Sequence, residues 1–210
     1  QMDAQRMLEE VRPKPIEKGD KLLVSDVDPW HNACLNYLPD HSLSYGNGYL
    51  KGGNVLVEQA LRDGSDLDTL VYPIAFLYRQ YIELRLKQLS EMALRLHDRA
   101  GQTKLNHDIK SLWLAWRKLD EELYPGVTSK EQLDGVERLI EEFAAVDPTS
   151  TAFRYAKNKN GDPSLAGLTL INVRNLRDVM AKIADQLEYC LTGLYGELDA
   201  KAEADRCMRE

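Results

Sequence analysis

The chain has 210 residues, of which 43% are hydrophobic and 29% charged, and its formal net charge is −7. This composition is that of a soluble globular protein, and the length suffices for one sizeable hydrophobic core. No apolar run approaches the roughly 18 residues that a membrane-spanning helix needs. Residues 2–10 are too acidic and polar for a signal peptide. We therefore expect a cytoplasmic protein that has no contact with a membrane.

The cysteines are odd in number and far apart in the chain. Cys34, Cys190 and Cys207 form no CxxC pair, which argues against a disulfide framework and against a zinc site. The histidines show no metal-ligand spacing, and neither HExxH nor GxSxG occurs. We therefore expect no metal and no cofactor.

Charge is spread unevenly along the chain. Residues 79–118 carry a net charge of +5 and residues 151–182 carry +4, so the remainder carries −16. If the two basic segments share a face, an anionic ligand such as RNA or a nucleotide becomes plausible. The alternative is that acidic helices pack beside the basic ones and neutralise them.

The chain begins with an irregular segment, residues 1–28, which precedes a helical domain over residues 29–210. Asp28 and Pro29 are typical N-cap and N1 residues, so the sequence predicts a short helix over residues 29–38. No linker or repeat divides the helical domain further.

The next predicted helix, residues 42–62, is rich in glycine. Lys51 stands where the third glycine of GxGxxG would be, so this is not a phosphate-binding loop. Gly48 and Gly52 are one turn apart, and close crossing of another helix explains them better than contact with a ligand.

The strongest apolar periodicity predicts a helix that begins at residue 67 or 71, ends near residue 97, and has Pro73 in its first turn or at a kink. Arg79, Glu83 and Lys87 lie four residues apart in it, along one edge. The following helix, residues 106–123, has Asn106 as its expected N-cap, and a short connection can bring His107 close to that edge.

His107 is the central candidate for chemistry. A carboxylate such as Glu83 would orient its ring, and together with Arg79 these residues could form a catalytic cluster. The alternatives are an ordinary polar residue in the first turn of a helix and a plain Glu83–Lys87 surface ion pair.

Ser129 and Gln132 predict a capping box for a helix over residues 130–146. Residues 151–171 are the least helical part, and we expect an irregular insert or a small β-hairpin. Within it, Arg154, Tyr155 and Lys157 could hold a phosphate or stack on a base. The alternative is a loop fixed by its aromatic residues, with Arg154 paired to an acid.

The last helix, capped by Asn172, repeats apolar residues three and four apart for three heptads. Leu176, Met180, Ile183 and Leu187 form this seam, which packs on another long helix of the same chain or of a second copy. A homodimer through the long helices is therefore expected.

The sequences of residues 76–87, 106–113 and 152–155 resemble a group of bacterial proteins that are similar to the HEPN superfamily of helical bundles. That resemblance implies a dimer and a role in toxin–antitoxin or anti-phage systems, in which HEPN proteins are often ribonucleases with an Arg-x4-6-His motif. Arg174 and Asn175 match the front of this motif and would contact the ligand, but residues 179–181 contain no histidine.

The sequence therefore predicts one all-α, HEPN-like bundle of five to seven helices with a small insert near residues 151–171. The leading functional hypothesis is a non-catalytic module that binds RNA, a nucleotide or a protein partner. The alternatives are a metal-independent ribonuclease that uses Arg79, Glu83, His107 and Arg154, and a purely structural interaction subunit.

Overall fold

The computed structural model describes residues 14–25, 28–35, 41–101 and 106–208. The chain divides into two units, residues 1–39 and residues 40–210. In the first unit a three-residue 3-10 helix, Pro29–His31, replaces the longer helix that was predicted there. Residues 32–35 are not helical, and residues 36–38 lie outside the described residues. Asp28 does not cap this turn, because its backbone is left-handed (φ 50°) and its carboxylate contacts His31 Nδ1 at 2.6 Å instead.

The second unit contains five α-helices in its described residues, and the all-α prediction is confirmed. They are α1 (Ser42–Asp63), α2 (Leu67–Leu96), α3 (Ile109–Leu123), α4 (Lys130–Val146) and α5 (Val173–Cys207). The insert between α4 and α5 is irregular, and its described residues contain one isolated antiparallel bridge, between Lys157 and Pro163, rather than a hairpin of two strands. No helix in the described part of the chain is both long and apolar enough to cross a bilayer.

Helix α2 is the centre of the bundle. It packs against α1, α3 and α5, whereas the main helix contact of α4 is with α3. A central helix must bury more than one face, and 15 of the 30 residues of α2 are buried. Pro73 lies in the second turn of this helix. Trp113 and Trp116 of α3 are both buried, as expected of core anchors.

Two glycines of α1 allow close approach of α2, but they are not the predicted pair. A Cβ atom at Gly53 would lie 2.7 Å from the Tyr78 ring, and one at Gly46 would lie 3.0 Å from the Arg85 guanidinium. Gly46 and Gly53 are two turns apart and so share a face. Gly48 meets nothing within 4 Å, and Gly52 makes only an ordinary contact at 3.5 Å.

The helix starts follow side-chain capping. Ser129 and Gln132 form the predicted capping box of α4, and Asn172 caps α5. The predicted cap of α3 was two residues early, because Asp108 accepts from the N–H groups of Lys110 and Ser111. Asn106 instead accepts a hydrogen bond from the Asp108 N–H at 2.9 Å.

The apolar seam of α5 is part of the monomer core. Met180, Ile183 and Leu187 are buried within this chain, and α5 packs along α2. This seam is therefore already occupied, and a homodimer would have to use another face.

Candidate functional site

Arg79, on the buried face of α2, is held by main-chain and side-chain acceptors from three parts of the fold. Its Nη1 donates to Glu83 Oε2 at 3.0 Å, and its Nε donates to the Asp147 carbonyl at 2.9 Å. Its Nη2 donates to the His107 carbonyl at 2.9 Å and faces the Pro148 carbonyl at 3.4 Å. The side chain has no solvent exposure. Arg79 therefore ties α2 to the chain before α3 and after α4, and it cannot reach a ligand.

Glu83 is the buried carboxylate beneath the surface of the site. Its second oxygen, Oε1, accepts from Lys87 Nζ at 2.8 Å and from His107 Nδ1 at 2.7 Å. Burial raises the pKa of Glu83, but hydrogen bonds from Lys87, His107 and Arg79 together outweigh it, so the pKa lies below its ordinary value. The carboxylate is therefore ionised at neutral pH.

His107 is fixed at both its main chain and its ring while remaining at the surface. Its carbonyl accepts from Arg79, and its ring meets Glu83, yet 79% of the side chain is exposed. An ionised carboxylate only accepts hydrogen bonds, so Nδ1 carries the hydrogen and Nε2 is the outward nitrogen. No hydrogen bond from the described residues reaches Nε2. Such an imidazole can exchange a proton with a bound molecule or donate to an anion.

Asp147, which directly follows α4, completes the support of this cluster. It is fully buried, and its Oδ1 accepts from the N–H groups of Thr151 at 2.7 Å and Ala152 at 3.0 Å. Its Oδ2 lies 3.7 Å from Arg79 Nε. The turn after α4 is thereby fixed against α2. An Asp-Pro step directly after a helix was the available signal, but it does not reveal the partner.

Three of the predicted site residues, Arg154, Tyr155 and Lys157, lie in the insert between α4 and α5. Arg154 Nε donates to the Ser150 carbonyl at 2.6 Å, and its guanidinium stacks on Phe76 (5.5 Å) and Tyr155 (5.3 Å). Arg154 and Tyr155 are exposed, as is Lys157. Arg154 forms no ion pair among the described residues. The loop is thus fixed by its aromatic residues, while the guanidinium keeps free N–H groups.

Arg174 and Asn175 lie in the first turn of α5. The Asn175 N–H donates to Asn172 Oδ1 at 2.9 Å, so its backbone belongs to the helix cap. Arg174 lines an open pocket together with Arg62 and Arg177. No hydrogen bond or ion pair among the described residues joins Arg154 or Arg174 to His107. The structure therefore joins Arg79, Glu83, Lys87 and His107 by direct contacts, and among the described residues it shows no such contact between His107 and the other predicted site residues.

The lowered pKa of Glu83 predicts a pH-dependent contribution to stability. A carboxylate whose pKa is lower in the folded chain stabilises the fold above its unfolded pKa, and this stabilisation is lost as pH falls through the folded value. We expect Glu83→Gln to lower the free energy of unfolding at pH 7, with a deficit that shrinks steadily as the pH is taken below the ordinary value of 4.5. Urea unfolding at several pH values measures this difference. Glu91→Gln, at an exposed residue of the same helix, is the matched variant; a Glu83→Gln deficit that does not change with pH would contradict the assignment.

Fold and site together define an all-α bundle in which a buried arginine–glutamate pair holds a surface histidine and lysine. Comparison with protein-family models, with curated proteins and with solved structures found no match. The function must therefore be argued from the geometry of the chain itself.

Proposed function

We propose that this protein is a non-catalytic, HEPN-like module of a bacterial defence or toxin–antitoxin system. It binds an anionic ligand, RNA or a nucleotide, at the surface formed by Lys87 and His107. The observation that carries the proposal is that one buried oxygen, Glu83 Oε1, holds both Lys87 Nζ and His107 Nδ1.

This arrangement suits a phosphate group. The lysine ammonium has three N–H groups and uses one on Glu83, and His107 presents its outward Nε2, which donates when the ring is protonated. Hydrogen bonds from charged donors to phosphate are among the strongest in proteins. Because both side chains share one anchor, they are held close together and lose little freedom when a phosphate binds.

Three observations favour binding without cleavage. Arg79 uses its donors inside the protein, so it cannot stabilise charge on a scissile phosphate. The described surface around Glu83 supplies one imidazole, where acid–base cleavage of a phosphodiester normally uses two proton-transfer groups. The chain also has no Arg-x4-6-His motif.

A metal-independent ribonuclease is the second candidate, supported by the Glu83–His107 contact itself. In this reaction His107 Nε2 takes the proton of the ribose 2′-hydroxyl, the 2′-oxygen attacks phosphorus, and the 5′-oxygen leaves with a proton from water. The products are a 2′,3′-cyclic phosphate and a 5′-hydroxyl. Lys87 would stabilise the phosphorane, and Arg79 and Glu83 would position His107 without touching the substrate.

Labelled single-stranded RNA and a labelled nucleotide separate these candidates when binding and cleavage are followed in parallel. We expect binding that weakens with salt, no cleavage, and about tenfold weaker binding for His107→Ala and for Lys87→Gln, which each remove one phosphate contact. Lys182→Gln changes an exposed lysine of α5 and should have little effect. Arg154→Ala tests whether the ligand extends to the insert.

The other outcomes are equally informative. Cleavage that disappears in His107→Ala would establish the ribonuclease. If neither binding nor cleavage is found, a protein-interaction subunit is the better assignment.

We propose a homodimer as the assembly, and light scattering should then give twice the chain mass of 23.9 kDa.

A further inference from the structure

A cleft with a volume of about 760 Å³ lies between the end of α1, the start of α2 and residues 165–174, and its polar residues include Asp68 and Arg174. Its walls are mainly aliphatic and include Leu61, Val71 and Leu165, with Phe153 among the aromatic residues. Ligand pockets for small molecules typically measure about 300–1,000 Å³ and are lined largely by apolar side chains. None of the residues of the Lys87–His107 surface lines this cleft.

One side of the cleft continues into the open arginine pocket, because Leu61 and Arg174 line both. The charged residues of this pocket are Glu58, Arg62, Arg174 and Arg177, with a net charge of +2. Arg177 is paired with Asp178 at 2.7 Å. Arg62 and Arg174 form no ion pair among the described residues. The cleft thus ends beside two arginines, and Glu58 is the carboxylate in the lining of the pocket that holds them.

We infer that this cleft binds a small amphiphilic anion with a single aliphatic chain. The chain lies along the aliphatic walls, and its carboxylate or phosphate head is bound by Arg62 and Arg174. Burial of each methylene strengthens binding, and a charged head adds arginine hydrogen bonds that a neutral head lacks. Asp68, which also lines the cleft, repels an anionic head and so favours its placement at the arginine side.

The lining favours an alkyl chain over a run of stacked bases, because most of it is aliphatic. Of its two aromatic side chains, Tyr72 is 48% exposed, whereas Phe153 is buried and packs edge-on against Phe143 with ring centroids 6.1 Å apart. The rim is also aliphatic, since Leu170 borders the cleft with 89% of its surface exposed. A bound alkyl chain would cover Leu170 as well as the walls.

Dodecyl phosphate and dodecanoate, kept below their micelle concentrations, are the probes for this cleft. Calorimetric titration should show saturable binding of both, weaker binding of uncharged dodecanol, and no detectable binding of inorganic phosphate. Arg62→Gln and Arg174→Gln should each weaken the binding of dodecyl phosphate at least about tenfold while leaving the binding of dodecanol unchanged. Val71→Thr should weaken the binding of all three alkyl ligands. Arg138→Gln, an exposed arginine of α4, is the control, and circular dichroism confirms that each variant is folded.

Equal affinities for dodecyl phosphate and dodecanol would overturn the proposal, as would an effect of Arg138→Gln as large as that of Arg174→Gln. Binding only to vesicles of anionic phospholipid would show that the site recognises a membrane surface instead. Displacement of dodecyl phosphate by single-stranded RNA would assign the cleft to RNA. His107→Ala should leave dodecyl phosphate binding intact, so this test is independent of the Lys87–His107 proposal.

Discussion

Replacing Arg79 by methionine is expected to lower the free energy of unfolding by about 3–5 kcal/mol, the usual effect of breaking a buried ion pair. Methionine fills much of the same volume but leaves Oε2 of Glu83, a side chain that is 2% exposed, without its buried donor, while Oε1 keeps Lys87 and His107. The carbonyls of Asp147 and His107 also lose their donor. Urea unfolding monitored by circular dichroism measures the change.

Arg85→Met provides the matched control, because Arg85 lies on the same helix and is equally buried. Its partner Glu188, whose Oε1 lies 2.7 Å from Arg85 Nη2, is 38% exposed and can be hydrated after the substitution. We therefore expect a smaller loss, about 1–3 kcal/mol. A cost for Arg79→Met no larger than that for Arg85→Met would show that the difference in exposure between Glu83 and Glu188 does not decide the outcome.

Replacing Ile183 by glutamate is expected to unfold the chain rather than to release a soluble monomer from a dimer. Ile183 is 3% exposed and packs in the core between α5 and α2. The change loses about 2–5 kcal/mol of apolar packing and places a carboxylate where water cannot hydrate it. Together these costs are comparable with the whole stability of a domain, roughly 5–15 kcal/mol.

The measurement is circular dichroism and light scattering of Ile183→Glu beside Lys182→Glu. Lys182 is the preceding residue and is exposed, so its variant should remain folded with the mass of the wild type. A folded Ile183→Glu with half the wild-type mass would instead place the seam of α5 at a subunit interface.

Local signals explain why the helix starts and the buried helix faces could be predicted from the sequence. The capping box of Ser129 and Gln132 and the cap at Asn172 act within one turn, so residues close in sequence suffice to place both helix starts. The heptad seam of α5 likewise indicates a buried face. It cannot identify the partner helix, because α2 and a second copy offer the same kind of apolar surface.

The site was only partly predictable, because local spacing indicates which side chains share an edge of a helix but not which distant residues they contact. Spacing placed Arg79, Glu83 and Lys87 on one edge of α2, and the short connection suggested that His107 lies nearby. Nothing local indicated that Asp147, 68 residues after Arg79, supplies the carbonyl that fixes the guanidinium. Nor could spacing reveal that Arg79 faces the interior while His107 faces solvent.

By itself, the sequence determined an all-α chain, the bounds of α1 and α4 to within one residue, and the candidate cluster on α2, because periodicity and capping are local. Only the tertiary structure decided which glycines of α1 meet α2, that the seam of α5 is occupied within the chain, and that Arg79 is a structural anchor. It alone placed Arg174 beside Arg62 at the cleft. These outcomes depend on contacts between residues far apart in the chain, and local patterns carry no information about such contacts.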